Sequence, residues 1–136
     1  CLIEEGKMAI AHVGESRIYL LRHGSLVRVT HDHSYVEELV DSGQITADEA
    51  RTHPSRSIIT RALGVDPDLY ADHFSLEVSN GDRVILCSDG LSAYGDDLDI
   101  LDICFDEPHD VCCEKLVDYS NGNGGHDNVS VALITL

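Results

Sequence analysis

Two apolar runs, each joined directly to a turn that carries a carboxylate, constrain this chain more than any other feature. Val84-Ile85-Leu86-Cys87 runs into Ser88-Asp89-Gly90-Leu91. Gly124-Gly125-His126-Asp127-Asn128 runs into the apolar stretch from Val129 to Leu136. Short apolar runs bounded by turn residues read as strands. An Asp at the end of such a strand, in a Gly-containing turn, can project into a cleft without its charge being desolvated in the core. Two such carboxylates from distant stretches supply the hard oxygen ligands that hold divalent cations. Taken singly, each is also an ordinary turn residue, because Asp-Gly and Asp-Asn favour turns.

The remaining pattern predicts an α+β domain. Residues 7–13, 17–22 and 26–29 read as a β-meander, turning at Gly14-Glu15-Ser16 and His23-Gly24-Ser25. The period then changes. Ser34 with Glu37 makes a capping box for a helix that carries Val36, Leu39 and Val40 and stops near Gly43. Thr46 with Glu49 repeats the box for a short second helix that ends before Pro54. Residues 69–78 alternate as a strand, Asn80-Gly81 turns, and 82–88 return as its hairpin partner. Helices are expected around 96–104 and 110–119, before a last strand.

Length and charge limit the function classes. The 136 residues suit one domain, with no apolar run of about 18 residues to span a membrane. The sequence opens on Cys1-Leu2-Ile3, which reads as the inside of a strand, as a fragment would. Asp and Glu number 25 against 9 Lys and Arg, a net charge of −16 with histidine neutral. Nucleic-acid binding needs a basic footprint, which this surface lacks. It suits divalent cations and basic protein segments, although most of these charges are a solvated face. The five cysteines form no C-x-x-C pair and sit mostly in apolar runs, which fits buried thiols in a reducing cytoplasm. His31 and His33 stand two apart, without a Cys or His partner at a zinc spacing.

Two further segments complete a set. Ala11-His12-Val13-Gly14-Glu15-Ser16-Arg17 joins two strands through a Gly-Glu-Ser turn, and His53-Pro54-Ser55-Arg56-Ser57 leads to Ile58-Ile59-Thr60-Arg61-Ala62-Leu63-Gly64. In their order and gaps the four motifs resemble the metal-dependent serine/threonine protein phosphatases of the 2C type, above all the bacterial ones. The resemblance runs from about residue 7 to the end. It implies an α-β-β-α sandwich, here incomplete because the chain corresponds to the C-terminal portion of such a domain. It also implies that residues 30–64, long for a connection, form the flap beside the cleft.

The implied chemistry is hydrolysis of phosphoserine and phosphothreonine in a phosphorylated protein substrate, by a cytoplasmic enzyme that is monomeric when complete. Two Mn²⁺ or Mg²⁺ ions would activate a water for in-line attack at phosphorus, while the metals and an arginine absorb developing charge. By resemblance Asp89 and Asp127 are metal ligands, and Glu15 stands where the family usually has the Asp of Gly-Asp-Ser-Arg, associated with a weaker third ion. Arg56 and Arg61 are candidates to meet the phosphate, being planar and always charged. Pairing with local carboxylates is the alternative for both.

Departures from the family pattern carry their own expectations. Glu15 adds a methylene, moving the carboxylate by about 1.5 Å. Ala93 stands where the family often places another Asp, with Asp96 and Asp97 close enough in sequence to compensate. Both point to a weakened third-metal site. The Asp-Gly-x-Gly-Gly segment, whose Asp bridges both metals in the family, does not occur. The chain by itself is therefore expected to bind Mn²⁺ weakly, to hydrolyse little, and to leave sheet edges open. The competing class is a degenerate phosphatase domain that binds or regulates without catalysis.

Overall fold

In the computed structural model, which describes residues 1–136, the strands sort into two antiparallel sheets. The first holds β1 (Leu2–Glu4), β2 (Lys7–His12) and β5 (Asp72–Glu77), in the order β1-β2-β5. The second holds β3 (Arg17–Arg22), β4 (Ser25–Arg28), β6 (Arg83–Cys87) and β7 (Val131–Thr135), in the order β4-β3-β6-β7. Between β4 and β5 lie α1 (Tyr35–Asp41) and α2 (Ala47–Thr52). Between β6 and β7 lie α3 (Asp89–Ser92), α4 (Asp97–Asp106) and α5 (His109–Gly122).

The central strands of the second sheet, β3 and β6, are apolar on both faces because both faces are covered. Ile18 and Leu20 of β3 join Met8, Ile10, Val78 and Val84 in a core between the sheets. Tyr19 and Leu21, pointing the other way, join Ile85, Cys87, Leu91, Ile100, Cys104, Cys112 and Leu116 beneath the helices. Successive strand residues face opposite sides, so one strand feeds two cores. The layers therefore run sheet, sheet, helices. The first sheet has one buried face only, and β2 alternates strictly between exposed and buried positions. Its side away from the core carries the exposed Lys7, Ala9 and Ala11.

Two sequence expectations are corrected by this topology. The meander does not form: β3 pairs with β4 and β6, and β2 pairs with β1 and β5, so the Gly14-Glu15-Ser16 turn carries the chain from one sheet to the other. Nor are β5 and β6 a hairpin, although the turn at Gly81 forms with φ of 93°. There Arg22 bridges the layers, donating to the Asp82 carboxylate at 2.6 Å and to the Glu77 carbonyl at 2.9 Å. An alternating pattern tells which residues share a face, not which strand lies alongside.

The helix signals fare better, with one exception. Thr46 and Glu49 form the complete capping box. Ser34 accepts from the Glu37 amide, but the Glu37 carboxylate turns instead to Arg28, so that box is half formed. The chain after Cys87 makes a single helical turn, α3, that sequence periodicity does not reveal. It is too short for a 3.6-residue pattern to show.

Candidate metal centre and active-site cleft

Glu15, Asp89 and Asp127 come from three separate turns and line one cleft of about 450 Å³. Each turn is held by its own local chemistry. Gly14, with φ of 106°, lets β2 swing out of the first sheet, and Glu15 follows it. Asp89 opens α3, whose Ser88 amide donates to the Ser130 carbonyl at 3.0 Å. The Ser130 amide returns a bond to Ser88 Oγ at 3.0 Å. Those two bonds pin the 127–130 segment against the start of α3 and so set Asp127 near Asp89. Gly90 makes the approach feasible: a Cβ there would collide with the Asn128 carbonyl. Ser120 of α5 donates to the Gly90 carbonyl at 2.8 Å, fixing α3 from below.

The electrostatics mark the cleft as short of positive charge. Burial first, then the charges of Asp89 and Asp32, push the Glu15 carboxyl up to about 6. A cation placed among these oxygens would relieve that repulsion, and oxygen-only carboxylate donors suit Mn²⁺ or Mg²⁺. On this ground the residues fit the implied ions, although no three His, Cys, Asp or Glu side chains converge closely enough to hold a metal ion. The three carboxylates share a cleft without making a finished coordination shell.

In the cleft lining, Arg17 grips Asp32 with Nε at 3.0 and 3.1 Å and Nη2 at 2.7 Å, and its Nη1 donates to the Tyr19 hydroxyl at 3.2 Å. The fully buried Tyr19 hydroxyl in turn donates a hydrogen bond to Asp97 at 3.1 Å. Asp96 accepts from the Leu98 amide as the cap of α4 and lies 3.7 Å from Arg51. Asp96 and Asp97 thus both border the cleft, as compensation for Ala93 would need, yet each already holds a structural bond. Their Asp-Asp sequence carries no sign of these partners.

The two arginine candidates part company. Arg56 lines the cleft, with its guanidinium carbon 5.4 Å from the Tyr94 ring centre. Tyr94 in turn lies 4.9 Å from the His126 ring, beside Asp127. Tyr94, which joins Arg56 in the cleft and packs on His126 outside the cleft lining, escaped sequence reasoning, and the position of His126 next to Asp127 was its only signal. Arg61 is not among the cleft residues. It is tied to Asp72 at 2.6 Å and lies 4.1 Å over the Tyr70 ring, so the local carboxylate captures it. The expectation that Arg61 meets the phosphate is not supported by where it stands.

No family model matches the chain. Protein phosphatase PhpP of Streptococcus pneumoniae is 38% identical over 135 residues, covering 98% of this chain and 55% of that protein. Serine/threonine protein phosphatase PstP of Mycobacterium tuberculosis is 40% identical over 135 residues, covering 97% and 26%. The crystal structure of the Mycobacterium tuberculosis phosphatase PstP/Ppp matches with a TM-score of 0.94 at 38% identity, over 99% of this chain and 57% of that one. The chain belongs to the 2C-type serine/threonine protein phosphatases. It spans about half the length of the PhpP it matches, consistent with the C-terminal portion of such a domain. A PstP catalytic domain in complex with two manganese ions also matches, with a TM-score of 0.88 at 36% identity, over 97% of this chain and 54% of that one. The fold is accordingly that of the 2C-type sandwich. No helix is long and apolar enough to cross a membrane.

Proposed function

We propose that residues 1–136 are the C-terminal part of one catalytic domain, with residues 30–64 as its flap, and that the complete protein hydrolyses phosphoserine and phosphothreonine in proteins. The observation that carries this reading is the convergence of Glu15, Asp89 and Asp127 on one cleft bordered by Arg56. Asp89 and Asp127 would hold an ion of the dinuclear pair, and Glu15 a weaker third. Bound Mn²⁺ or Mg²⁺ would supply an activated water for attack at phosphorus and would screen the charge developing on the phosphoryl oxygens. Arg56 would orient the phosphate from the flap side, its guanidinium steadied by the Tyr94 face.

The chain alone would bind Mn²⁺ weakly and hydrolyse little, since its sequence has no Asp-Gly-x-Gly-Gly segment to bridge a metal pair. The partner implied is a phosphorylated protein; the net charge of −16 disfavours nucleic acid. A monomeric enzyme working in the cytoplasm fits this reading. The test is Asp89→Asn in the complete protein, expected to abolish turnover while leaving the melting temperature within about 2 °C, the scale of a surface substitution. Retained turnover would remove the ligand assignment. Phosphopeptide binding without hydrolysis by the unmodified complete protein would instead favour a binding module.

A further inference from the structure

A second cluster of titratable side chains, unused by the proposed reaction, sits beside the turn that carries Glu15. His33 is 5% exposed. Its Nδ1 accepts the Gly14 amide proton at 2.9 Å, and its own backbone amide donates to the Gly14 carbonyl at 3.0 Å. On the other side of the ring, Nε2 lies 2.9 Å from the Asp72 carboxylate. Because Nδ1 accepts, the neutral ring carries its proton on Nε2 and donates it to Asp72, so the 2.9 Å approach of Arg61 Nη1 to the same nitrogen is a contact and not a hydrogen bond. Arg61 donates to the second Asp72 oxygen at 2.6 Å, so both donors share one acceptor. The bonds from His33 and Arg61 hold the Asp72 carboxyl below its usual range, which keeps it ionised for this work.

These bonds act on the backbone of the turn itself. Gly14 has a φ of 106°, a conformation disfavoured for other residues, and no atom lies within 4 Å of where a Cβ would stand. Hydrogen bonds tie the turn in place: the two exchanged with His33, and one from His12 Nε2 to the Ser16 carbonyl at 2.8 Å. The His12 ring stacks on His33 with centres 5.0 Å apart, and burial keeps its pKa below the ordinary histidine value. The same His33 closes the base of the flap. Its carbonyl accepts from the Thr60 amide at 2.8 Å, and the next residue but one, Tyr35, donates to the Ile58 carbonyl at 2.9 Å.

We propose that His33 is a positioning residue for Glu15: Asp72 and Arg61 hold its tautomer, its Nδ1 holds the Gly14 amide, and this sets where the Glu15 carboxylate stands in the cleft while fastening that turn to the base of the flap. The inference rests on the reading of Glu15 as a metal ligand. It also gives Arg61 a role, as the outer end of the relay rather than a phosphate contact. Partners that orient a ligand-bearing element in this way are worth about tenfold to a hundredfold in metal affinity.

The test compares His33→Asn, His33→Gln and His33→Leu with Glu15→Gln in the complete protein. The readouts are Mn²⁺ binding by calorimetry and the melting temperature without metal. Asn can place an acceptor where Nδ1 stands, whereas Gln reaches toward the Nε2 position. His33→Asn should stay within about threefold of the parent in the weakest resolved Mn²⁺ step, while His33→Gln and His33→Leu should lose about tenfold to a hundredfold. Equal losses in Asn and Leu variants, tracking their melting temperatures, would reduce His33 to a structural residue and overturn the proposal. If Glu15→Gln weakens Mn²⁺ binding and His33→Leu does not, the positioning role alone fails. If Glu15→Gln changes nothing, the ligand reading fails and takes the proposal with it. Should the Leu variant not fold, the Asn and Gln variants decide between themselves, equal affinities being the overturning result.

Discussion

Replacing Gly90 by alanine probes the contact on which the proposed metal centre depends. A Cβ at Gly90 would stand 2.9 Å from the Asn128 carbonyl carbon and 3.2 Å from Val129 Cα, besides colliding with the Asn128 oxygen. Comfortable carbon–carbon contacts lie at about 3.5–4.0 Å, so the segment or α3 has to retreat by about 0.5–1 Å. Neither can do so freely. The Ser88–Ser130 pair of bonds holds one side, and Ser120 holds the other through the Gly90 carbonyl. Forcing a methyl into a close-packed site costs about 1–3 kcal/mol. The helical preference of alanine over glycine returns at most about 1 kcal/mol, and less in the single turn of α3. A net loss of about 1–2 kcal/mol follows, a fall in melting temperature of about 3–8 °C for a domain of this size. Asp89 and Asp127 also move apart, so Mn²⁺ affinity in the complete protein falls beyond what stability explains. Gly122→Ala, with nothing within 4 Å of its Cβ, is the control and leaves both readouts in place. A Gly90→Ala protein that melts and binds Mn²⁺ like its parent would refute the claim that this close approach sets the distance between the two carboxylates.

The thiols offer a check on the helix-side core. Cys87, Cys104 and Cys112 are buried, and burial pushes the Cys87 thiol up to about 11, so native protein at neutral pH should be modified only at the exposed Cys1 and the half-buried Cys113. Mass spectrometry of alkylated peptides reads this directly, and prompt labelling of Cys87 would contradict the packing. Acid tests the Arg22–Asp82 ion pair at the turn before β6. Arg22 holds the Asp82 carboxyl below its usual value, so its stabilising contribution is complete above the unfolded value, about 4, and is lost as pH falls through the lower folded one. The stability gap between parent and Asp82→Asn should therefore be constant from pH 6 to 8, on the scale of the about 4 set by the free carboxyl, and shrink below it. A gap that widens in acid would reverse the assignment.

What could be read in the chain was what local chemistry determines. Strand and helix positions follow from period, caps and turn residues, all of which act over a few neighbours: Thr46 with Glu49, Gly81 in its turn, and the apolar run into Asp89 all appear where expected. The ordered motifs likewise carry the family in the sequence alone. Pairing was not legible. The β2–β3 and β5–β6 neighbours look like hairpins in sequence and lie in different sheets in space, because alternation specifies a face and leaves the partner open. The same limit applies to side chains. Arg56 and Arg61 are five residues apart and chemically alike, yet one borders the cleft and the other is held by Asp72 on a strand of the first sheet. Glu15, Asp89 and Asp127 were each recognisable as acids at turns. Their meeting depends on Gly14 switching sheets and on Gly90 admitting the Asn128 backbone, contacts between residues far apart in the chain, and only the packed tertiary structure decides those.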